Sequence, residues 1–165
     1  MTAQIGAPAA AARAHEEIFA WWAARRSGGR LPGRAHVDPS DLKRHLPTIS
    51  LIDVRRREGR RGYRLRLAGT GLYRVYGGEI TGKDIDDVYP ESACDYWRQE
   101  LDKVVDTRRP QAGVHSFAWR GAAHLQIMWL RLPLASDGQE VDMILGYDAP
   151  LGGHAPGPAS GIRAA

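Results

Sequence analysis

The stretch that decides the fold reads LPGRAHVDPSDLKRHLPTISLIDV over Leu31–Val54 and YRLRLAGTGLYRVYGGEITG over Tyr63–Gly82. Asp38 and Pro39 predict the start of a short helix, Ser40–Leu46, because an Asp carboxylate caps free N–H groups and Pro fits the first helical turn. A second proline ends that helix. The pattern then predicts a strand, a basic turn, a second strand and a short helix bounded by glycines.

The two strands of this stretch differ in their apolar pattern. Thr48–Arg56 carries apolar residues on both faces, which is typical of a strand covered on both sides. The second strand alternates, since side chains along a strand point to opposite faces in turn. Tyr63, Leu65 and Leu67 fall on one face, and Arg64, Arg66 and Ala68 on the other. Between the strands, the run Arg55–Arg61 surrounds Glu58-Gly59 and predicts a hairpin tip.

Two longer helices and three further strands are predicted outside this stretch. Arg13–Ser27 has one apolar stripe, and Glu91–Thr107 is a strongly amphipathic helix closed by a proline. Glycines and polar turn residues separate the strands, which are predicted over Gln111–Arg120, Ala122–Leu134 and Val141–Asp148.

Taken together, these motifs resemble a family of small single-domain PAS-like sensory proteins that is common in alphaproteobacteria. The matching pieces are LP-R-hydrophobic-DP, LP-I-hydrophobic-D, YRL-L-GT and TG within Leu31–Gly82, and LPLASDGQEVDMILG over Leu132–Gly146. The match spans roughly Trp21–Tyr147, and Leu65 departs from it by replacing an expected aromatic residue. The resemblance implies an α+β fold, a five-stranded antiparallel sheet with helices packed on one face, plus an N-terminal helix outside the core.

Length and composition favour one domain with loose ends. We expect a disordered N-terminus over residues 1–12, a PAS-like domain over 13–149 whose residues 13–28 form a flanking helix, and a disordered tail over 150–165. A single cysteine, the absence of a secretion signal and the lack of a long apolar run predict a cytoplasmic protein.

The net charge of +4 rests on 20 Arg against 3 Lys. This excess of arginine reflects either a genome whose codons favour Arg or a surface that binds anions.

The resemblance implies a stand-alone sensory or adaptor domain that binds a small molecule or a partner protein and signals through protein–protein association. A homodimer and a signalling protein partner are expected, neither membrane nor nucleic acid is, and the sequence names no cofactor. One alternative is an enzyme of small-molecule metabolism that uses His124 or Cys94. The other is a nucleic-acid-binding protein that uses the basic turn Arg55–Arg61. No catalytic motif or metal-ligand spacing supports the enzyme, although His115 and His124 could face each other across a hairpin.

Candidate site residues follow from the resemblance and from residue chemistry. Arg66 either pairs with Asp53 or Glu79 or clamps a ligand carboxylate or phosphate, because a guanidinium binds such groups bidentately. Ligand contacts are predicted for Arg66, Tyr73, Tyr76, Trp97, His124 and Trp129. A dimer contact through the first helix is predicted for Ile18, Trp21 and Trp22, and the alternative is a helix folded onto its own sheet. Cys94 lies in ACDYWR, which is not the cysteine motif of flavin-linked PAS photoreceptors.

Overall fold

The computed structural model describes residues 7–151, so the predictions of a disordered N-terminus over residues 1–12 and a disordered tail over 150–165 lie partly outside it. The helices are α1 (Ala7–Ala23), α2 (Leu72–Tyr76), α3 (Ile85–Val88) and α4 (Glu91–Thr107). The strands are β1 (Ile49–Arg57), β2 (Arg60–Ala68), β3 (Gln111–Phe117), β4 (Ala122–Leu134) and β5 (Met143–Pro150). Short 3₁₀ helices occupy Arg34–His36, Leu46–Thr48 and Ala118–Arg120.

The strands form one antiparallel sheet in the order β2-β1-β5-β4-β3. The chain therefore inserts its C-terminal strand β5 between β1 and β4, with α2, α3 and α4 connecting β2 to β3. This arrangement confirms the predicted fold class. The helix α4 and the strand β4 have the bounds that the sequence predicts.

The motifs LP and GTG that mark the deciding stretch contact each other in space. A side chain at Gly69 would place its Cβ 2.1 Å from the carbonyl oxygen of Leu46, and one at Gly71 would lie 2.7 Å from that of Pro47. Only glycine permits this approach of two backbone segments. The contact holds the segment that precedes β1 against the segment that follows β2.

A β-bulge interrupts the predicted alternation of β2. Leu51 pairs with Leu67 and Ile52 pairs with Leu65, so Arg66 is an extra residue with no partner in the register. A bulge turns the side chains beyond it to the other face. Leu67 is consequently 47% exposed, whereas the sequence placed it with buried Tyr63 and Leu65.

The helices cover both faces of the sheet. Tyr147 and Asp148 are successive residues of β5 and therefore point to opposite faces. His15 of α1 packs edge-on against Tyr147, at 5.5 Å between ring centroids, whereas Asp148 accepts a hydrogen bond from Tyr76 of α2. The N-terminal helix thus lies on one face, which we call the outer face, and α2 and α4 lie on the inner face.

The bounds of α1 and the segment after it differ from the predictions. The helix begins at Ala7, not Arg13, because alanine has the highest helix propensity and Ala11 and Ala14 are buried against the sheet. The predicted helix Ser40–Leu46 is a series of turns. Asp38 accepts hydrogen bonds from the backbone N–H and the hydroxyl of Ser40, so its carboxylate closes a local turn and no helix follows.

Candidate functional site

The inner face encloses a small cavity between the sheet and the helices. Its volume is about 10 Å³, which is room for about one water molecule. The walls are mostly apolar, and the polar groups come from three strands and from the segment after β2. The lining residues are Ser50, Ile52, Leu65, Leu72, Tyr76, Ile80, Ile85, Tyr89, Trp97, Leu101, Arg131 and Asp148.

A buried ion pair joins β4 to β5 beside this cavity. Arg131 donates from Nη1 to Asp148 Oδ1 at 2.8 Å, and the two side chains are 3% and 2% exposed. Arg131 also donates to the carbonyl oxygen of Leu130 at 2.9 Å. Burial alone would lower the pKa of Arg131, but the Asp148 carboxylate and the neighbouring tyrosines raise it above its usual value. The pair therefore holds a charged guanidinium inside the domain.

Two tyrosine hydroxyls extend the ion pair into the helical layer. Tyr76 donates to Asp148 Oδ2 at 3.0 Å, and Tyr89 donates to the hydroxyl of Tyr76 at 2.9 Å. Burial raises the pKa of both phenols, and the Asp148 carboxylate raises them further. Both hydroxyls consequently stay protonated and act as donors. The chain Tyr89–Tyr76–Asp148–Arg131, which we call the buried polar chain, connects α2, the end of α3 and two strands.

Aromatic rings enclose the guanidinium on its other side. The Arg131 Cζ lies 4.7 Å from the ring centre of Trp97 and 5.7 Å from that of Trp129, distances at which a cation is attracted by the face of an indole. Trp129 donates from Nε1 to the hydroxyl of Tyr96 at 3.0 Å. Tyr96 in turn stacks on His115 at 4.5 Å between ring centroids. These contacts attach α4 to β3 and β4.

Glycine at position 146 makes room for the ion pair. Ser50, Gly146 and Arg131 are register partners across β1, β5 and β4. A Cβ at Gly146 would lie 2.4 Å from Ser50 Oγ and 3.2 Å from Arg131 Nη1. The guanidinium therefore crosses the sheet over a position that has no side chain.

Three of the six predicted ligand contacts belong to this region. Tyr76 and Trp97 line the cavity, and Trp129 packs beside it against Arg131. Tyr73 is 48% exposed, because Leu72, Val75 and Tyr76 form the buried stripe of α2 and position 73 lies about 100° away from it. His124 is exposed, since it alternates with the inward-pointing Leu125.

Arg66 lies away from the cavity, and the ligand-clamp interpretation does not fit its position. The bulge leaves its side chain 60% exposed on the outer side of β2, where Nη1 lies 3.5 Å from Asp53 Oδ1. The alternative of a pair with Asp53 is the arrangement in the structure. His115 and His124 do not face each other either, because His115 pairs with Ile127. Among residues 7–151, no cluster of three potential ligands could hold a metal ion.

The residues predicted for a dimer contact are buried within the chain. Ile18 and Trp22 are 0% and 1% exposed, and Trp22 donates from Nε1 to the carbonyl oxygen of Pro133 at 2.8 Å. Trp21 is nearly covered, with the guanidinium of Arg25 4.5 Å from its ring centre. This burial conflicts with an interface role, and the alternative of a helix folded onto its own sheet is what the structure contains. The exposed aromatic side chain of α1 is Phe19, at 45%.

Cys94 is held as a thiol. It is buried, and its Sγ donates to Asp86 Oδ1 at 3.1 Å. Burial and the Asp86 carboxylate raise the pKa of Cys94 to about 11. A reactive cysteine needs a thiolate at neutral pH, so this position lacks the electrostatics of a nucleophile.

Arg131 and Asp148 are not among the site residues predicted from the sequence. A signal was present, since each is a charged residue inside an otherwise apolar strand, in LRLPL and GYDAP. A buried charge must find a partner, so two such residues of opposite sign in neighbouring strands predict a pair. The register that brings them together could not be read from either strand alone.

A sheet with this strand order, with helices between its second and third strands, defines the PAS class of sensory domains. The sequence model of the family described as PAS domain matches residues 10–148. The chain belongs to that family.

Solved structures with similar folds include sensory proteins. The LOV protein of Rhodobacter sphaeroides is 17% identical, with 85% of this chain and 68% of that chain covered and a TM-score of 0.48. A sensory box sensor histidine kinase from Vibrio cholerae is 19% identical, with 67% and 85% covered and a TM-score of 0.43. A fungal LOV domain photoreceptor is 16% identical, with 81% and 89% covered and a TM-score of 0.47.

No curated protein matches the sequence. Within residues 7–151, the helices are too short or too polar to cross a lipid bilayer.

Proposed function

We propose that this PAS domain is an adaptor, which transmits a signal through association with another protein and does not hold a large ligand in its core. The observation that carries the proposal is the filled inner face. Its cavity has a volume of about 10 Å³, whereas sites for drug-sized ligands span roughly 300–1,000 Å³. The space that a ligand would need is taken by the buried polar chain and by the indole rings of Trp97 and Trp129.

The polar groups of the core bind each other, which also favours the adaptor. Arg131, Asp148 and Tyr76 are joined by hydrogen bonds of 2.8 and 3.0 Å. A ligand that used Arg131 as its anchor would have to separate this pair. Removing one partner of a buried pair costs about 3–5 kcal/mol, so a ligand would have to supply at least that much binding free energy before any net affinity appeared.

The strand β5 contacts the helices on both faces of the sheet. Tyr147 contacts His15 of α1 and also His45, at 5.5 and 5.6 Å between ring centroids. The next residue, Asp148, anchors the buried polar chain on the other face. In the proposed mechanism, a partner biases a two-state arrangement of α1 and α4, and β5 transmits the shift because a displacement of one residue moves its neighbour.

A homodimer remains part of the proposal, with a different contact from the one predicted. Since Ile18 and Trp22 are buried, a dimer would use the exposed side of α1, where Phe19 lies 5.9 Å from the Trp22 ring. Aromatic residues are favoured at interface cores. Cytoplasmic localisation and a bacterial source also remain expectations of the sequence.

The enzyme alternative has less support than the adaptor. Its two candidate residues, Cys94 and His124, are a protonated thiol and an exposed imidazole on different elements. A catalytic site usually combines a cleft with several groups of shifted pKa in reach of a substrate. Within the described residues, the phenols of Tyr76 and Tyr89 have raised pKa values. They are enclosed together with the ion pair, and no open cleft leads to them.

Native mass spectrometry of freshly purified protein, compared with the denatured chain, tests the proposal. We expect the native mass to equal the chain mass or a whole multiple of it, because the core is filled. A small organic molecule that is bound in the native protein and lost on denaturation would contradict the adaptor and would favour a ligand sensor. The same spectrum reports the subunit count, so a monomer at all concentrations would remove the homodimer.

A further inference from the structure

The β1–β2 hairpin carries an open arginine-rich groove that shares no lining residue with the cavity of the inner face. The groove has a volume of about 560 Å³. Five arginines line it, namely Arg55, Arg57, Arg60, Arg61 and Arg98. Carboxylates of α3, of the preceding residue and of the hairpin turn lie on its walls as well, so the surface is mixed in charge but predominantly basic.

The turn geometry holds two arginines side by side. Glu58 and Gly59 both have positive φ angles, 50° and 74°, which is the two-residue hairpin turn that matches the twist of antiparallel strands. This turn fixes Arg57 opposite Arg60, and Arg56 opposite Arg61. Side chains that are directly opposite on antiparallel strands have Cβ atoms about 4.5–5.5 Å apart, and like charges there destabilise the sheet.

Carboxylates within the chain neutralise one of these two arginine pairs. Arg56 Nε lies 3.2 Å from Glu140 Oε1. Arg61 lies 3.1 Å from Asp102 and 2.9 Å from Asp106, both on α4. Arg57 and Arg60 have no ion pair within residues 7–151 and are exposed. The two guanidinium groups therefore lie next to each other in solvent, with no carboxylate partner in the described chain.

The carboxylates on the opposite wall of the groove already form ion pairs with arginines of the chain. Arg55 Nη1 lies 3.7 Å from Asp84 Oδ1, and Arg98 contacts Asp86. A partner lying along the groove would meet two free guanidinium groups at the hairpin tip and two carboxylates at the far wall. Two neighbouring guanidinium groups match a pair of carboxylates, because each can bind one bidentately.

We propose that this groove is a docking surface for an acidic segment of a partner protein, in which paired Glu or Asp residues bind Arg57 and Arg60. The proposal rests on the proposed adaptor function, because it names the surface that a partner would contact. A protein segment fits better than a nucleic acid. The aromatic residue in the groove, Tyr63, is 1% exposed and cannot stack on bases. Three of the five arginines, Arg55, Arg61 and Arg98, already pair with carboxylates, whereas a nucleic-acid strand is bound through a row of free cations along its backbone.

The test is fluorescence anisotropy at low salt with two labelled probes, a peptide in which two Glu-Glu pairs flank one Lys, and a single-stranded oligonucleotide. Binding is measured for the wild type, for Arg57→Gln with Arg60→Gln, and for a matched control, Arg44→Gln with Arg74→Gln. Arg44 and Arg74 are exposed and do not line the groove. The control removes the same net charge, and glutamine keeps part of each side-chain stem.

We expect the hairpin variant to weaken peptide binding by about tenfold or more, because two charge-assisted contacts are lost, and the control to change it by less than about twofold. Equal losses in both variants would overturn the proposal, since binding would then follow net charge alone. A peptide that does not bind the wild type, or an oligonucleotide that binds more tightly than the peptide, would also overturn it. None of these outcomes depends on the ligand content of the core, which native mass spectrometry measures separately.

Discussion

Replacing the buried ion pair in a double-mutant cycle tests how the core is held together. The variants are Asp148→Leu, Arg131→Met and both together, measured by urea denaturation at about pH 7 with tryptophan fluorescence. Three of the five tryptophans lie in the core at 1% exposure, so their emission reports unfolding. Each variant gives one free energy of unfolding, and the cycle isolates the coupling between the two side chains.

The two single substitutions should be strongly destabilising. Asp148→Leu leaves a guanidinium 3% exposed with no carboxylate, and an uncompensated buried charge costs about 3–5 kcal/mol. Arg131→Met should cost less, because Tyr76 still donates to Asp148 Oδ2 at 3.0 Å and the carboxyl group can take up a proton to become neutral.

The double substitution should recover most of this loss. An apolar pair of similar volume is often neutral or stabilising by about 1–4 kcal/mol relative to a buried ion pair. Here the gain is offset, because the Tyr76 hydroxyl loses its acceptor, which costs about 1–3 kcal/mol. We therefore expect the double variant to lie within about 2 kcal/mol of the wild type, with a coupling free energy of several kcal/mol.

The outcome that would refute this reasoning is a small effect of the single substitutions. If Asp148→Leu costs less than about 1 kcal/mol, the pair behaves as a surface ion pair does, and the guanidinium must reach water in solution. Losses of the two single variants that simply add in the double variant would show that the side chains are not coupled. Either result would also remove the argument that a ligand must break this pair.

Three further predictions concern the helices and the titratable core. Trp22→Ala should lower the free energy of unfolding, measured in urea, by about 3–5 kcal/mol, since it empties a buried site. Phe19→Ala, on the exposed side of α1, should change it by less than about 1 kcal/mol. Equal losses in the two variants would contradict the position of α1. Burial lowers the pKa of His115 from its usual value of 6.5, so the unfolded chain binds the proton first and stability should fall as the pH drops below that value. His115→Phe should reduce the difference in urea midpoint between about pH 8 and about pH 5 but not abolish it, because burial also lowers the pKa of His15. The exposed His124→Gln should leave the difference unchanged. The pKa of Cys94 is raised from 9.0 to about 11, so stability should fall as the pH rises through that range, and alkylation by iodoacetamide should stay slow at about pH 8, where rapid labelling would show a thiolate.

Local patterns predicted the elements whose signals are contained within a short segment. Glu91–Thr107 and Ala122–Leu134 have the predicted bounds, because a helical apolar stripe, a strand and the glycine or proline at their ends are visible over a few turns of chain. The predictions were less accurate where the signal was weak. The alanine-rich start of α1 shows no apolar period, and the turn at Asp38 uses the same residues as a helix start.

The candidate site was predicted in part, for reasons that particular residues illustrate. Tyr76 and Trp97 lie at the cavity because aromatic residues on apolar stripes face the core. Arg66 was assigned to the pocket from a resemblance, and one bulged residue in β2 turns its side chain outward. Arg131 and Asp148 were missed because the pair forms between strands, and the register that brings the two residues together cannot be read from either strand alone.

The sequence by itself determined the order of the helices and strands, their approximate bounds and the membership of the PAS class. These depend on backbone preferences and on apolar periods, which act over neighbouring residues. The tertiary structure alone decided which face α1 covers, which arginine is buried and how little space the inner face encloses. Those features depend on register: Arg131 and Asp148 are 17 residues apart in the chain, and whether they meet depends on how two strands align, because a shift by one residue would send each side chain to the opposite face.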